Sequence, residues 1–519
     1  MKLSSLLLLS LAGATAWAGA TAWAGAAPVT VDGGQLEGVT HGGVVAYRGI
    51  PYAAAPVGPL RWRAPQPVVP WQGVRVADSY GNDCAQLPFP QDSAPLRTTP
   101  SEDCLYLNVW RPAASAAPRP VMVWIHGGGF VTGGSSPAVY DGAALASEGV
   151  VLVSLNYRLG RLGFFAHPAL TAENPDQPQG NYAVMDQLAA LQWVQRNIAR
   201  FGGDPGNVTI FGESAGGSAV GFLLATPMAR GLFHKAIIES GALRYSLTPF
   251  GSATEGAQKQ GVDFAAAAGV AGADTDVAAL RALPTEALTR NVSFMSRDST
   301  FSGPIRDGRL IPETPLAAFA AGRQAKVPLI IGSNSFEWGF MTMPGFPATA
   351  KPVEQVLAEF GPLAGQARKA YASAIERKGL ELDARLFSDR TFVEPSRAGA
   401  RDQAAAGVPA YLYRFSYIAE SERAGAPGAL HATELPFVFG TVRARYGDRA
   451  TLTDERISAE LRARWIAFAR NGAPQASGLP AWPRYSGQRD QLLDIDTKTQ
   501  VLSGVDRARL DVVEAQATR

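Results

Sequence analysis

The chain has 519 residues, of which 46% are hydrophobic and 18% charged, with 55 glycines and 37 prolines. This is the composition of a globular protein with a large core, and it excludes a disordered, collagenous or coiled-coil chain. The 47 lysines and arginines nearly balance the 45 aspartates and glutamates, without long runs of like charge. Neither nucleic acid nor a charged membrane surface is therefore expected as a partner.

The first 26 residues have the pattern of a secretory signal peptide. Lys2 is followed by leucines at 6–9 and 11, and then by the unit AGATAW, which occurs at 12–17 and again at 18–23. A positive start, a short apolar run and Ala-x-Ala sites predict cleavage after Ala26. A membrane anchor is the alternative, but the apolar run falls well short of the roughly 20 residues that a spanning helix needs. The mature protein is expected to be secreted or periplasmic, without a membrane anchor.

The chain has two cysteines, Cys84 and Cys104. Because an exported protein sits where disulfides persist, a bond between them is favoured, although two unrelated buried thiols remain the alternative. A zinc site is not expected, since two cysteines without a nearby histidine cannot complete the metal's ligand shell.

The remainder of the chain alternates short apolar runs with stretches of helical periodicity. The predicted elements, in chain order, are strands at 121–125 and 150–155, a helix at 181–201, a strand at 208–211, a helix at 219–225, and strands at 236–238, 328–331 and 411–415. This alternation predicts an α/β fold with a mostly parallel, doubly wound sheet. We expect one domain, residues 27–519, with helical insertions at about 243–323 and 341–407 that could roof a site.

The pentapeptide GESAG at 212–216 follows one predicted strand and precedes a helix. Small residues on both sides of Ser214 permit the sharp turn that exposes a nucleophilic hydroxyl above a sheet. The pattern alone is weak in a glycine-rich chain, and its position between strand and helix is what gives it weight.

A second signal is HGGGF at 126–130, directly after the strand at 121–125. Consecutive glycines let backbone N–H groups approach a developing alkoxide. The alternative is a flexible glycine-rich turn without a function. It is less favoured because the chain also contains the predicted turn around Ser214.

A serine nucleophile needs a base and an acid that orients the base. In the order nucleophile, acid, base, only His234 and His431 follow Ser214, and His234 comes too soon to leave room for the acid. We therefore predict His431 as the base and Glu337, in a loop after the strand at 328–331, as the acid. Asp307 is the competitor, but it lies in a glycine-containing setting with no strand expected before it.

Taken together, these residues resemble the type-B carboxylesterase and cholinesterase family of α/β hydrolases. The likeness covers nearly the whole mature chain. Its motifs are RGIPY at 48–52, PVGPLR at 56–61, SEDCLYLNV at 101–109, FGGDP at 201–205, FGESAGG at 211–217 and HATELPF at 431–437.

The resemblance implies the α/β-hydrolase fold and the same Ser214, Glu337 and His431 triad. It also implies further site residues, which are an oxyanion hole from the N–H groups of Gly128, Gly129 and Ala215, a Cys84–Cys104 disulfide, a structural ion pair of Arg61 with Glu102, and Ser240 as a support for the acid. Two departures stand out. Trp338 follows the acid where the family commonly has Gly, and residues 85–103 hold no Trp for a choline cation, so acetylcholine specificity is not expected.

The predicted function is that of an exported serine carboxylesterase acting on a small-molecule ester, with no metal or organic cofactor. Its rate is expected to fall below about pH 6.5, near the ordinary pKa of histidine. Three alternatives remain. The first is a non-catalytic cholinesterase-like binding module, the second a serine peptidase on the same fold, and the third a specialised esterase for a polyester, a toxin or a plant acyl conjugate.

Overall fold

A computed structural model describes residues 24–89, 93–114, 117–293 and 298–519. Most of the predicted signal peptide lies outside these residues, so the prediction stays open. The strands of the described chain are β1 Ala24–Gly25, β2 Val29–Val31, β3 Gly34–Glu37, β4 Val39–His41, β5 Val44–Pro51, β6 Val74–Val76, β7 Tyr106–Pro112, β8 Arg119–Ile125, β9 Val151–Leu155, β10 Gly203–Glu213, β11 Lys235–Glu239, β12 Thr248–Pro249, β13 Ile305–Arg306, β14 Leu329–Asn334, β15 Ala410–Phe415, β16 Gln491–Ile495 and β17 Gln500–Ser503.

Twelve of these strands form one central sheet, in the order β1-β4-β5-β7-β9-β8-β10-β11-β14-β15-β16-β17. The seven strands from β9 to β16 run parallel, whereas the strands at both edges pair antiparallel. The predicted α/β architecture with a mostly parallel sheet is therefore confirmed. Each predicted strand is present, and β10 is longer than expected because it begins at Gly203 and continues into the pentapeptide.

The helices surround this sheet. They are α1 Ala143–Ser147, α2 Gly160–Gly163, α3 Pro168–Glu173, α4 Tyr182–Asn197, α5 Ala215–Ala225, α6 Gly256–Ala267, α7 Val277–Arg281, α8 Thr285–Thr289, α9 Pro315–Ala320, α10 Val353–Ala358, α11 Ala364–Ala370, α12 Ala372–Arg377, α13 Glu381–Ser388, α14 Glu394–Ala405, α15 Leu435–Phe439, α16 Val442–Tyr446, α17 Leu452–Asn471 and α18 Arg507–Ala517. A π-helical turn at Asp389–Val393 joins α13 to α14. No helix in the described ranges combines the length and apolarity that crossing a membrane requires.

Hydrophobic core lies on both faces of the central sheet. In β8, Val121, Val123 and Ile125 belong to one buried cluster, while Met122 and Trp124 belong to another. Side chains alternate between the two faces of a strand, so an apolar run such as 121–125 needs cover on each side. Helices α4 and α5 contribute to the first cluster and α17 contributes to the second.

The two regions for which we expect helical insertions contain mostly helices. Residues 243–323 hold α6 to α9 and the small parallel sheet of β12 and β13, and residues 341–407 hold α10 to α14. The expectation that no strand precedes Asp307 is wrong, because β13 ends at Arg306.

Two of the predicted structural contacts are present near the start of the chain. Cys84 and Cys104 form a disulfide bond. The Arg61 guanidinium donates to both carboxylate oxygens of Glu102, at 2.8 and 2.5 Å, and to the backbone carbonyl of Arg281 at 2.9 Å. Arg61 therefore connects the N-terminal part of the chain to the first helical insertion.

Candidate active site

Ser214 occupies a strained turn between β10 and α5. Its φ of 57° lies in the left-handed region, which non-glycine residues rarely adopt. The turn brings α5 so close to β8 that a Cβ on Gly216 would lie 2.0 Å from the carbonyl oxygen of Ile125. Only glycine fits at position 216, which explains the glycine two residues after Ser214. Because the N–H of Ser214 donates to the carbonyl of Glu239 at 2.9 Å, the turn is also fixed to β11.

The structure brings together the three residues predicted as nucleophile, base and acid. His431 Nε2 lies 2.8 Å from Ser214 Oγ, and His431 Nδ1 lies 2.6 Å from Glu337 Oε2. Since β10, β14 and β15 are parallel and belong to one sheet, the segments that follow them meet at its carboxyl edge. The sheet topology thus brings His431 into contact with Ser214, which is 217 residues away in the chain, and with Glu337, which is 94 residues away.

The carboxylate of Glu337 is fully buried and held by three donors. Its Oε2 faces His431, while Oε1 accepts from Ser240 Oγ at 2.6 Å and from the N–H of Asn334 at 2.6 Å. Ser240 therefore contacts the acid, as the resemblance implies. Hydrogen bonds to a buried carboxylate stabilise its charged form and fix its orientation.

The glycine run after β8 forms a compact turn beside Ser214. Gly128 has a φ of 100°, and a Cβ there would lie 2.1 Å from the carbonyl oxygen of Thr132. Gly129 and Phe130 also have positive φ, and a Cβ on Gly127 would lie 3.2 Å from that of Ser214. Ala215 is the first residue of α5, so the helix's own hydrogen bonds do not use its N–H group. These are the positions predicted for an oxyanion hole.

Buried carboxylates surround His431 beyond the predicted acid. The carboxylate of Glu213 lies 3.1 Å from His431 Nε2, and Glu434 accepts from the side-chain amide of Asn334 at 2.5 Å. Burial lowers the pKa of His431, but the charge of Glu213 and the charge and hydrogen bond of Glu337 outweigh it and raise this pKa to about 9. This corrects the expectation of an ordinary histidine pKa. Burial and the charge of Glu337 raise the pKa of Glu434 to about 7.

Structural roles account for three of the other histidines. His126 is buried, its ring stacks on Tyr157 at 4.3 Å, and burial lowers its pKa to about 4. His167 accepts from the N–H of Ala169 at the start of α3, and His234 lies 3.2 Å from the N–H of Val208.

Asp307, the competing acid, is engaged elsewhere. Its Oδ1 accepts from three backbone N–H groups, those of Arg309, Leu310 and Ile311. It therefore shapes a turn within the first helical insertion.

Two cavities meet at Ser214. The first, with a volume of about 370 Å³, is lined by Arg244 and Arg390 together with Gly129 and Ala215, and we call it the arginine pocket. The second, of about 380 Å³, is lined by Glu213 together with Gly127, Gly128 and Phe89, and we call it the glutamate pocket.

The charged groups of the two pockets are held in different ways. In the arginine pocket, Arg244 donates through Nε and Nη2 to Glu394, at 2.7 Å each, and Arg390 donates to Glu359 and Gln516. In the glutamate pocket, the charge of Glu213 faces His431.

Several residues of the site were not predicted from the sequence. Phe392 lies in the π-helical turn and stacks on the His431 ring at 4.8 Å. Trp338 lines both pockets, although the sequence pattern predicts a role in the site only for its neighbour Glu337. The only available signal for Trp338 was its departure from the family's glycine. The signal for Glu213 was its place inside the pentapeptide.

Comparison with known proteins agrees with this architecture. The profile of the Carboxylesterase family matches residues 26–513. The chain is 37% identical over 473 residues to the fumonisin B1 esterase of Sphingopyxis macrogoltabida, covering 87% of this chain and 83% of that protein. It is 36% identical over 487 residues to the para-nitrobenzyl esterase of Bacillus subtilis, covering 91% and 95%. A solved PNB esterase structure is 34% identical, covers 94% of this chain and 99% of its own, and has a TM-score of 0.80.

The fold and the extent of these matches define an α/β hydrolase. The chain belongs to the carboxylesterase family and is a carboxylic ester hydrolase.

Proposed function

We propose that this carboxylesterase hydrolyses its ester by nucleophilic catalysis at Ser214, with His431 as general base and Glu337 as the acid that orients it. The observation that carries this proposal is the continuous chain of contacts from Ser214 Oγ to His431 Nε2, at 2.8 Å, and from His431 Nδ1 to Glu337, at 2.6 Å. Both separations are within hydrogen-bond reach, as proton transfer through the imidazole requires.

In the first step, neutral His431 takes the proton of Ser214 Oγ as this oxygen attacks the ester carbonyl carbon. Negative charge then develops on the carbonyl oxygen. The N–H groups of Gly128, Gly129 and Ala215 stabilise it, because fixed backbone dipoles need no reorganisation during the reaction.

In the second step, the tetrahedral intermediate collapses. The bond to the alcohol oxygen breaks, this oxygen receives the proton from His431, and the acyl group remains on Ser214. A water molecule, deprotonated by His431, then attacks the acyl carbonyl carbon and forms a second tetrahedral intermediate. The bond between this carbon and Ser214 Oγ breaks, His431 returns the proton to Ser214 Oγ, and the carboxylic acid is released. Glu337 holds the imidazole orientation throughout and stabilises its charged form.

The two pockets take the two halves of the ester. The leaving oxygen must reach His431 Nε2, and the carboxylate of Glu213, which lines the glutamate pocket, lies 3.1 Å from this atom. We therefore assign the alcohol half to the glutamate pocket. The acyl half is placed in the arginine pocket, which Ala215 and Ser218 line.

We also propose that the protein is exported, since residues 1–26 retain the signal-peptide pattern described above. Mass spectrometry of the mature N-terminus after expression with the natural leader tests this. A protein that keeps Met1 in the cytoplasm would contradict it.

The test of the catalytic proposal is hydrolysis of p-nitrophenyl esters from acetate to palmitate by the wild type and by Ser214→Ala. The matched control is Ser477→Ala, at an exposed serine outside the site. We expect turnover to fall by at least a thousandfold in Ser214→Ala and to stay unchanged in the control. A Ser214→Ala protein with wild-type rates would disprove the assignment. An inactive wild type that a fluorophosphonate does not label would favour a binding module.

A further inference from the structure

Trp338 stands at the junction of the two pockets. Among the described residues, three line both cavities, namely Ser214, His431 and Trp338. The first two carry the proposed chemistry, so Trp338 is the shared wall residue without a proposed chemical role. It follows Glu337 directly and is half-buried.

The indole belongs to an aromatic partition with one ring on each side. The Phe387 ring centroid lies 4.2 Å from that of Trp338, and the Phe340 centroid lies 4.8 Å from it. Phe387 lines the arginine pocket and Phe340 lines the glutamate pocket. Such inclined ring contacts are favourable, so the three rings form one aromatic wall, of which Trp338 and Phe340 are half-buried and Phe387 is exposed.

The partition is anchored at its backbone as well. The N–H of Trp338 donates to Ser388 Oγ at 3.0 Å, and this hydroxyl donates to the carbonyl of Ala384 at 2.7 Å. Ser388 ends α13, the helix that also carries Phe387. Trp338 is thus held by the second helical insertion and not only by the loop that contains Glu337.

We propose that Trp338 is a specificity-determining residue, which keeps the acyl and alcohol pockets apart and restricts the enzyme to esters that are slender beside the carbonyl group. This inference rests on the proposed roles of Ser214 and His431. The reacting carbonyl must lie where the two pockets meet, and Trp338 occupies the same junction. Trp338 therefore excludes esters with bulky groups on the carbon next to the carbonyl, whereas an ester whose chain extends along one pocket is accepted.

The experiment compares two p-nitrophenyl esters that share an alcohol half. The acetate is slender beside the carbonyl, and the diphenylacetate carries two rings on the adjacent carbon. The quantity measured is the ratio of kcat/KM for the diphenylacetate to kcat/KM for the acetate, in the wild type, Trp338→Gly, Trp338→Leu and Trp338→Phe.

We expect the ratio to rise at least tenfold in Trp338→Gly, to rise less in Trp338→Leu, and to stay within threefold of wild type in Trp338→Phe, which keeps an aromatic wall. Trp338→Leu retains an apolar side chain and serves as the test if Trp338→Gly does not fold. An unchanged ratio in the folded variants would overturn the proposal.

A second outcome would also overturn it. If both esters slow equally in Trp338→Gly and the pH profile shifts, Trp338 acts on the position of Glu337 and not on specificity. Failure of the catalytic proposal is recognised separately, because the Ser214→Ala variant would then still hydrolyse the acetate at the wild-type rate. The ratio is informative only where that variant is inactive.

Discussion

The arginine pocket and the glutamate pocket share Ser214, His431 and Trp338 but differ in how their charges are placed. The arginines of the first are paired with Glu394 and Glu359, which are carboxylates of the second helical insertion. The carboxylate of the glutamate pocket belongs to Glu213, the last residue of β10, which directly precedes Ser214. Its charge raises the pKa of His431. The charges of the arginine pocket thus form ion pairs that link its walls, whereas the charge of the glutamate pocket lies next to His431, the proposed base.

This contrast separates three kinds of substitution. Changes in the shared residues Ser214 and His431, or in the acid behind them, should slow every ester alike. Changes in the arginine pairs should mainly alter stability, and a change in Glu213 should alter pH dependence.

The largest effect is expected for Glu337→Gln. The amide cannot stabilise the charged imidazole, and its N–H₂ group opposes the tautomer in which Nδ1 carries the proton. We expect kcat to fall by about 10⁴ for all p-nitrophenyl esters, with KM little changed. Steady-state kinetics check this. A variant that slows long acyl esters alone would show that Glu337 shapes a pocket and does not orient the base.

The next effect concerns stability. Arg244→Gln leaves the carboxylate of Glu394, which is only 1% exposed, without its bidentate partner. We expect the free energy of unfolding to fall by about 2 kcal/mol, a value reduced because Arg244 is partly exposed. Urea unfolding measures the change. The control is Arg368→Gln, whose ion pair with Glu354 is exposed, and equal losses in both variants would contradict the prediction.

The pH dependence comes third. The base works when deprotonated, so kcat/KM should rise with pH as His431 loses its proton, up to about pH 9. The charge of Glu213 stabilises protonated His431, and Glu213→Gln should therefore shift this rise by about one unit toward lower pH.

The measurement is a pH–rate profile between pH 5 and 10, corrected for spontaneous hydrolysis. The exposed Glu376→Gln serves as the matched control and should keep the wild-type profile. A Glu213→Gln profile that moves to higher pH would reverse the sign and contradict this electrostatic account.

The smallest effects are expected for the two outer rings of the partition. Phe387→Ala enlarges the arginine pocket only, and Phe340→Ala enlarges the glutamate pocket only. For Phe387→Ala we expect rates to change by about threefold to tenfold across esters that differ in their acyl chain. For Phe340→Ala we expect a change of the same size across esters that differ in their alcohol. Ester series that vary one half at a time test this. If both substitutions affected the same series, the assignment of the halves to the pockets would be wrong.

The sequence predicted the parts of the site that follow the sheet. Apolar strands such as β8 and β14 are recognisable because both of their faces are buried, and the segments that follow parallel strands must meet at one edge. Ser214 and Glu337 could be found in this way, and His431 by elimination among five histidines.

Other features could not be read from local patterns. Helix α5 begins at Ala215 and not at 219, because close contact with β8 favours Gly216 and close contact with the end of β11 favours Gly217, against the weak helix propensity of glycine. Phe392 reaches His431 from a π-helical turn that has no periodic signature. The pKa of His431 depends on carboxylates brought together only by the fold.

The most direct test of the central claim is covalent labelling with a fluorophosphonate, followed by peptide mass spectrometry and a parallel esterase assay. The account predicts a single labelled residue, Ser214, with hydrolysis lost in proportion to the labelled fraction. Full labelling of Ser214 with esterase activity retained, or activity lost through a label at another residue, would contradict it.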